Sequence, residues 1–147
     1  MVTTQGFSLG ANYFLKKGYT LGGNYSWNRL NTASDDPIIP AFNTPEHKFN
    51  VSVSGRDVKW GPIEHMGFNV NFKWVQSFIF EGSPQFTGFV PNYYLVDAQL
   101  NKYIPKVKGT VKLGASNILN NQVFTVYGGP RIGRLAYISF SVDVNRK

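Results

Sequence analysis

The feature that most constrains this chain is two-residue alternation, repeated in segments about ten residues long. In the closing segment Ile138, Phe140, Val142 and Val144 point one way, while Tyr137, Ser139, Ser141 and Asp143 point the other. The segment before it, 109–117, sets Val111, Leu113 and Ala115 against Thr110, Lys112, Gly114 and Ser116. Side chains of a strand leave alternate faces of the sheet, so each segment carries one greasy face and one wet face.

The same dyad runs upstream. Segment 5–15 alternates Phe7, Leu9, Ala11 and Tyr13 with Ser8, Gly10, Asn12 and Phe14, and segment 19–28 sets Tyr19, Leu21, Gly23, Tyr25 and Trp27 against Thr20, Gly22, Asn24, Ser26 and Asn28. Segment 47–54 opposes Phe49, Val51 and Val53 to Lys48, Asn50, Ser52 and Ser54. The longest, 66–80, places Phe68, Val70, Phe72 and Trp74 against Asn69, Asn71 and Lys73, and segment 93–103 places Tyr94, Val96, Ala98 and Leu100 against Asp97, Gln99 and Asn101. The count is seven strands, an all-β antiparallel meander.

What joins the strands is as informative as the strands. Lys16-Lys17-Gly18 and Ile104-Pro105-Lys106 are short turns, 55–65 is a medium connection, and 30–46, 81–91 and the asparagine-glycine stretch after 117 are long loops rich in Pro and Gly. Short turns on one rim and long loops on the other, with strands near the roughly 9 to 11 residues that cross lipid at a tilt, describe a transmembrane β-barrel. In hydrocarbon every backbone N–H and C=O needs a partner, and among sheets a closed barrel provides that. Bacterial single-chain barrels have even strand numbers, so seven strands read as the C-terminal part of a larger barrel, with all of 1–147 as one segment of its wall. Residues 1–6 lack the basic start and apolar stretch of a signal peptide, which also reads as a fragment.

Composition agrees. Charged residues are 16% of the chain, aromatics 16%, and Gly numbers 15, a glycine-rich and charge-poor balance. The net charge of +7 raises nucleic acid as a partner, but the basic residues are scattered through turns and ends, with no basic run among stacking aromatics; no nucleic-acid partner is expected. No apolar run is long enough for a membrane helix.

From 93 onward the residues bring a family into view. Val96-Asp97-Ala98-Gln99-Leu100-Asn101-Lys102-Tyr103, then Lys112-Leu113-Gly114-Ala115-Ser116-Asn117-Ile118-Leu119-Asn120-Asn121, then Tyr127-Gly128-Gly129-Pro130-Arg131-Ile132-Gly133-Arg134, resemble the C-terminal strands of TonB-dependent receptors. The resemblance implies a barrel of about 22 strands in the outer membrane of a Gram-negative bacterium, plugged by an N-terminal domain. It implies uptake of a siderophore, vitamin or glycan with energy passed on by TonB. The partners it implies are outer-membrane lipid, the remaining strands and plug of the parent receptor, and TonB only through the missing N-terminal part. In the loop, Asn117, Asn120 and Asn121 suit left-handed turns, Gly128, Gly129 and Gly133 permit positive φ, and Arg134 is expected to anchor the rim of the closing strand.

Catalytic chemistry finds little support. His47 and His65 lack metal-ligand spacing, Asp35-Asp36 lacks the alternating oxygen ligands of a calcium loop, Cys is absent, and no GxSxG elbow occurs. The chain is read as no enzyme, with no cofactor and no metal. Trp27, Trp60, Trp74, Tyr19, Tyr94 and Tyr103 lie near strand ends, where aromatic girdles meet the lipid interfaces. Two groups are candidate site residues: loop aromatics Phe86, Phe89, Tyr93 and Tyr127 for substrate contact, and Asn69, Asn71, Lys73, Asp97, Gln99 and Asn101 as a lumen-facing polar wall continued by Tyr137, Ser139, Ser141 and Asp143. The alternative is a soluble lipocalin-like or fatty-acid-binding barrel, which fits the length and turns the apolar set inward around a small apolar ligand.

Overall fold

The protein is described by a computed structural model that covers residues 2–32, 42–142 and 144. Strands β1 (Val2–Phe14), β2 (Tyr19–Thr32), β3 (His47–Trp60) and β4 (Ile63–Val75) are followed by two short strands, β5 (Phe78–Phe80) and β6 (Gly88–Val90). Strands β7 (Tyr93–Ile104), β8 (Gly109–Ser116) and β9 (Leu135–Val142) complete the chain. The seven long strands form one sheet in the order β1-β2-β3-β4-β7-β8-β9, every pair antiparallel, and β5 pairs with β6 in a sheet of its own. β1 and β9 are the two edges of an open sheet.

Register carries the alternation intact from strand to strand. Leu9 pairs with Tyr25, Tyr25 with Phe49, Phe49 with Trp74 and Trp74 with Tyr94, a single apolar row across five strands. Farther along, Val53 pairs with Val70, Val70 with Ala98, Ala98 with Ala115 and Ala115 with Ala136. Nothing among the described residues covers this face. Leu9 is 65% exposed, Leu113 57% and Ile138 75%, whereas among the described residues the buried apolar ones are only Val58, Val75, Val90 and Val123. A contiguous apolar surface of this size on a soluble monomer would be exceptional.

Rings gather on the apolar face at the loop end. Phe7 lies 5.7 Å from Trp27, Phe49 5.5 Å from Trp74 and Phe72 6.0 Å from Tyr94, centroid to centroid. At the turn end Phe68 stands 6.0 Å from Tyr19 and 5.6 Å from Trp60. Tyr103 departs from the expected girdle: it pairs with Thr110 on the polar face and meets the His65 ring edge-on at 6.2 Å.

Two expected boundaries are corrected. The connection expected over 55–65 is a tight turn at Gly61 and Pro62, because β3 runs to Trp60 and β4 begins at Ile63. Two β-bulges hide this continuation: between Gly55/Val58 and Val58/Trp60 the register slips, first by an extra residue on β3, then by one on β4. The extra residues sit beside Asp57 (φ 53°) and His65 (φ 58°), whose side chains hydrogen-bond at 2.8 Å, and Lys59 pairs with Glu64 nearer the tip. Strand 66–80 likewise stops at Val75, where β7 begins opposite it at Tyr93, and Phe78–Phe80 turns away to pair with Gly88–Val90. With these changes, turns at 15–18, 61–62 and 105–108 alternate strictly with long connections at 33–46, 76–92 and 117–134.

Candidate functional site

The second face is assembled from small polar side chains in register. Thr20 pairs with Ser54, Ser54 with Asn69, Asn69 with Gln99, Gln99 with Gly114 and Gly114 with Tyr137, one row across six strands. Alongside it run Asn12, Gly22, Ser52, Asn71 and Asp97. The side chains are linked where they meet: Asn50 donates to Asn24 at 2.7 Å, Ser8 and Ser26 share a hydrogen bond at 3.0 Å, and the Tyr137 hydroxyl donates to Gln99 Oε1 at 2.8 Å. This last bond spans β8, and Gly114 makes it possible. A methyl on Gly114 would fall on the Tyr137 ring, which therefore lies flat over the strand between. Asn12, Asn24, Asn50, Ser52 and Asn71 line a shallow recess of about 530 Å³ on this face.

At the rim that bears the long connections, the loop after β8 is organised by Asn117, which is 3% exposed. Its φ of 50° reverses the chain, its Nδ2 donates to the carbonyls of Asn121 (2.7 Å) and Ile132 (3.2 Å), and its Oδ1 accepts from Asn121 N–H (3.0 Å). The backbone N–H of Asn117 donates to Asp97 Oδ1 at 2.8 Å, and Asn121 Nδ2 to the Tyr94 carbonyl at 3.0 Å, so the loop is tied back to β7. A bridge between Val123 and Ile132 closes it further out.

The other long connections join this one. Asn43 holds Glu81 by both backbone groups, donating to its carbonyl at 2.9 Å and accepting from its N–H at 2.6 Å. Phe86 lies against Gly128, where a Cβ would come within 2.6 Å of the ring, and Tyr127 lies against Gly88 in the same way. Each aromatic fills the space left by the other loop's glycine.

A family model described as "TonB dependent receptor-like, beta-barrel" matches residues 1–118, from β1 through β8. The chain belongs to the TonB-dependent receptor β-barrel family. That family comprises outer-membrane receptors and transporters of Gram-negative bacteria, which are not enzymes. No curated protein matches the chain.

Within this barrel sheet the six polar residues singled out on β4 and β7 stand together: Asn69 opposes Gln99, Asn71 opposes Asp97, Lys73 opposes Leu95 and Asn101 opposes Gly67. Ser139 and Ser141 continue the face on β9, while Asp143 lies outside the described residues, as do Asp35 and Asp36. The four loop aromatics do not form one cluster. Phe86 and Tyr127 are brought together, Phe89 is 58% exposed on β6, and Tyr93 starts β7 opposite Val75.

The glycine and arginine expectations are corrected in part. Gly128 has φ 73°, but Gly129 and Gly133 do not have positive φ; at those two positions the side chains of Val126 and of Gln122 and Asn120 crowd in instead. The hydrogen bond that fixes Arg134 comes from its backbone N–H, which donates to Asn120 Oδ1 at 2.9 Å, and it is Arg131 whose guanidinium is held, 4.9 Å over the Phe124 ring. Asn43 escaped sequence reasoning altogether, because a lone Asn between prolines carries no signal of a partner 38 residues away. Asn24, Asn50 and Ser52 carried the same alternation signal as the named wall and belong beside it.

Proposed function

We propose that this chain is a stretch of wall from a TonB-dependent outer-membrane receptor, completed by further strands and a plug domain of the same receptor, and that the whole imports a nutrient of the siderophore, vitamin or glycan class. The observation that carries the reading is the two-faced seven-strand sheet: an apolar face that no described residue covers and a polar face that is continuous in register. Lipid covers the first. The lumen lies against the second, so Asn69, Asn71, Lys73, Asp97, Gln99 and Asn101 look into it, and Phe86, Phe89, Tyr93 and Tyr127 belong to the rim a substrate meets first. Both free edges, β1 and β9, take neighbouring strands in the closed barrel, since an unpaired edge in hydrocarbon leaves several backbone groups unsatisfied. TonB is engaged through the plug and not through these strands.

Fractionation of the full-length receptor tests the reading. It is expected in the outer-membrane fraction and released only by detergent; recovery as a soluble monomer without detergent overturns the proposal and returns the inward-facing apolar barrel to consideration.

A further inference from the structure

The cations of this chain are unevenly placed. Among the described residues the short-turn rim carries seven of the chain's 15 basic side chains: Lys16 and Lys17 in the first turn, Arg56 and Lys59 on the β3–β4 tip, and Lys102, Lys106 and Lys108 at the third. Among the described residues two acids stand against them, Asp57 and Glu64, and both are already engaged, by His65 and Lys59. Lys102 is the most telling. It pairs with Met66 on one side and Val111 on the other, so its amine rises from the apolar face itself, two residues from the end of β7. Beneath the same rim and on the same face lies the Tyr19, Phe68 and Trp60 group. Aromatic rings at the interface with an ammonium just beyond them are placed for a bilayer's headgroup layer, where a long lysine reaches phosphate while its methylenes stay in the acyl region.

We propose that the short-turn rim binds anionic phospholipid, with Lys102 and the turn lysines Lys16, Lys17, Lys106 and Lys108 facing headgroup phosphates. The inference rests on the membrane reading above. Each cation near an anionic surface adds to the attraction, and the exposed turn positions bring several to one level, where the described acids, Asp57 and Glu64, are already paired. Lys17 (φ 64°) and Lys108 (φ 47°) hold left-handed turn conformations, and both are exposed.

The test uses the full chain in neutral-detergent micelles with Trp27→Phe and Trp74→Phe, leaving Trp60 as the sole reporter, and adds brominated phosphatidylglycerol or brominated phosphatidylcholine. Quenching of Trp60 is expected to be at least about threefold stronger with the anionic lipid, and to fall with added salt. Replacing Lys16, Lys102 and Lys106 by Gln, and Lys17 and Lys108 by Asn, which tolerates the left-handed turn, is expected to abolish the preference; Lys48→Gln with Arg134→Gln on the opposite rim is expected to leave it. Equal quenching by both lipids, or a preference that survives loss of the five lysines, overturns the headgroup proposal alone. Absence of quenching by either lipid overturns the membrane reading, and this proposal with it.

Discussion

Asn117 shows how one buried carboxamide organises a loop of 18 residues between β8 and β9. An amide offers two donors and an acceptor with two lone pairs, and here three side-chain hydrogen bonds draw on both kinds. Removing them strands the Ile132 carbonyl and both backbone groups of Asn121, and an alanine at φ 50° adds strain. Asn117→Ala is therefore expected to lower the stability of detergent-refolded protein by about 2–3 kcal/mol and to open the loop 117–134 to protease. A urea midpoint equal to that of the parent chain would show that the hub is dispensable. Asn121 does not have the positive φ expected of it, but Asn117 and Asn120 were legible in the sequence as turn formers, because a left-handed residue is a local property. Their partners were not: Asp97 lies 20 residues away, and only the antiparallel return of β8 along β7 brings its carboxylate to the Asn117 N–H.

At the scale of the strand, the dyad pattern made all seven long elements and their two faces readable, since a period of two survives any pairing register. It failed where bulges reset the period. Between Gly55 and Ile63 two compensating insertions shift the alternation out and back, so a continuous hairpin looked like a loop. It failed again at Phe78–Phe80, an apolar run that resembled more of β4 but has lost β7 as a neighbour. The faces themselves are testable by one charge placed on either side. In the full-length receptor Val70→Arg, at the middle of β4 on the apolar face, is expected to cost about 2–4 kcal/mol on refolding into phosphatidylcholine vesicles. Asn71→Arg, one residue on and on the polar face, is expected to stay within about 1 kcal/mol of the parent. Urea titration of the two inserted variants compares them directly, and equal losses would contradict the assignment of faces.

The molecule as a whole is an open sheet with a long free strand at each side, β1 of 13 residues and β9 of 8. Edges of this length offer rows of unpaired N–H and C=O groups to any other chain. The isolated 147-residue chain is expected to aggregate in detergent-free buffer and to become monodisperse only in detergent, as followed by size exclusion with light scattering. A stable monodisperse sample without detergent would refute this. The sequence also indicated which rim bears the long connections, since Pro, Gly and Asn cluster there. It left hidden that the three connections are fastened to one another through Asn43, Phe86 and Tyr127, contacts made side by side in space between segments remote along the chain.

The unbroken strand order has a consequence for how such a wall assembles. Since each long strand pairs only with its nearest long neighbours along the chain, the sheet grows by successive hairpins, and every step closes a short or moderate segment instead of a distant one. The costliest closures are the three long connections. At the last of them the Asn117 hub and the Val123–Ile132 bridge divide the span into smaller rings, each closable before β9 docks. The asparagine that shapes the finished loop thus also spreads the entropy of forming it over several small steps.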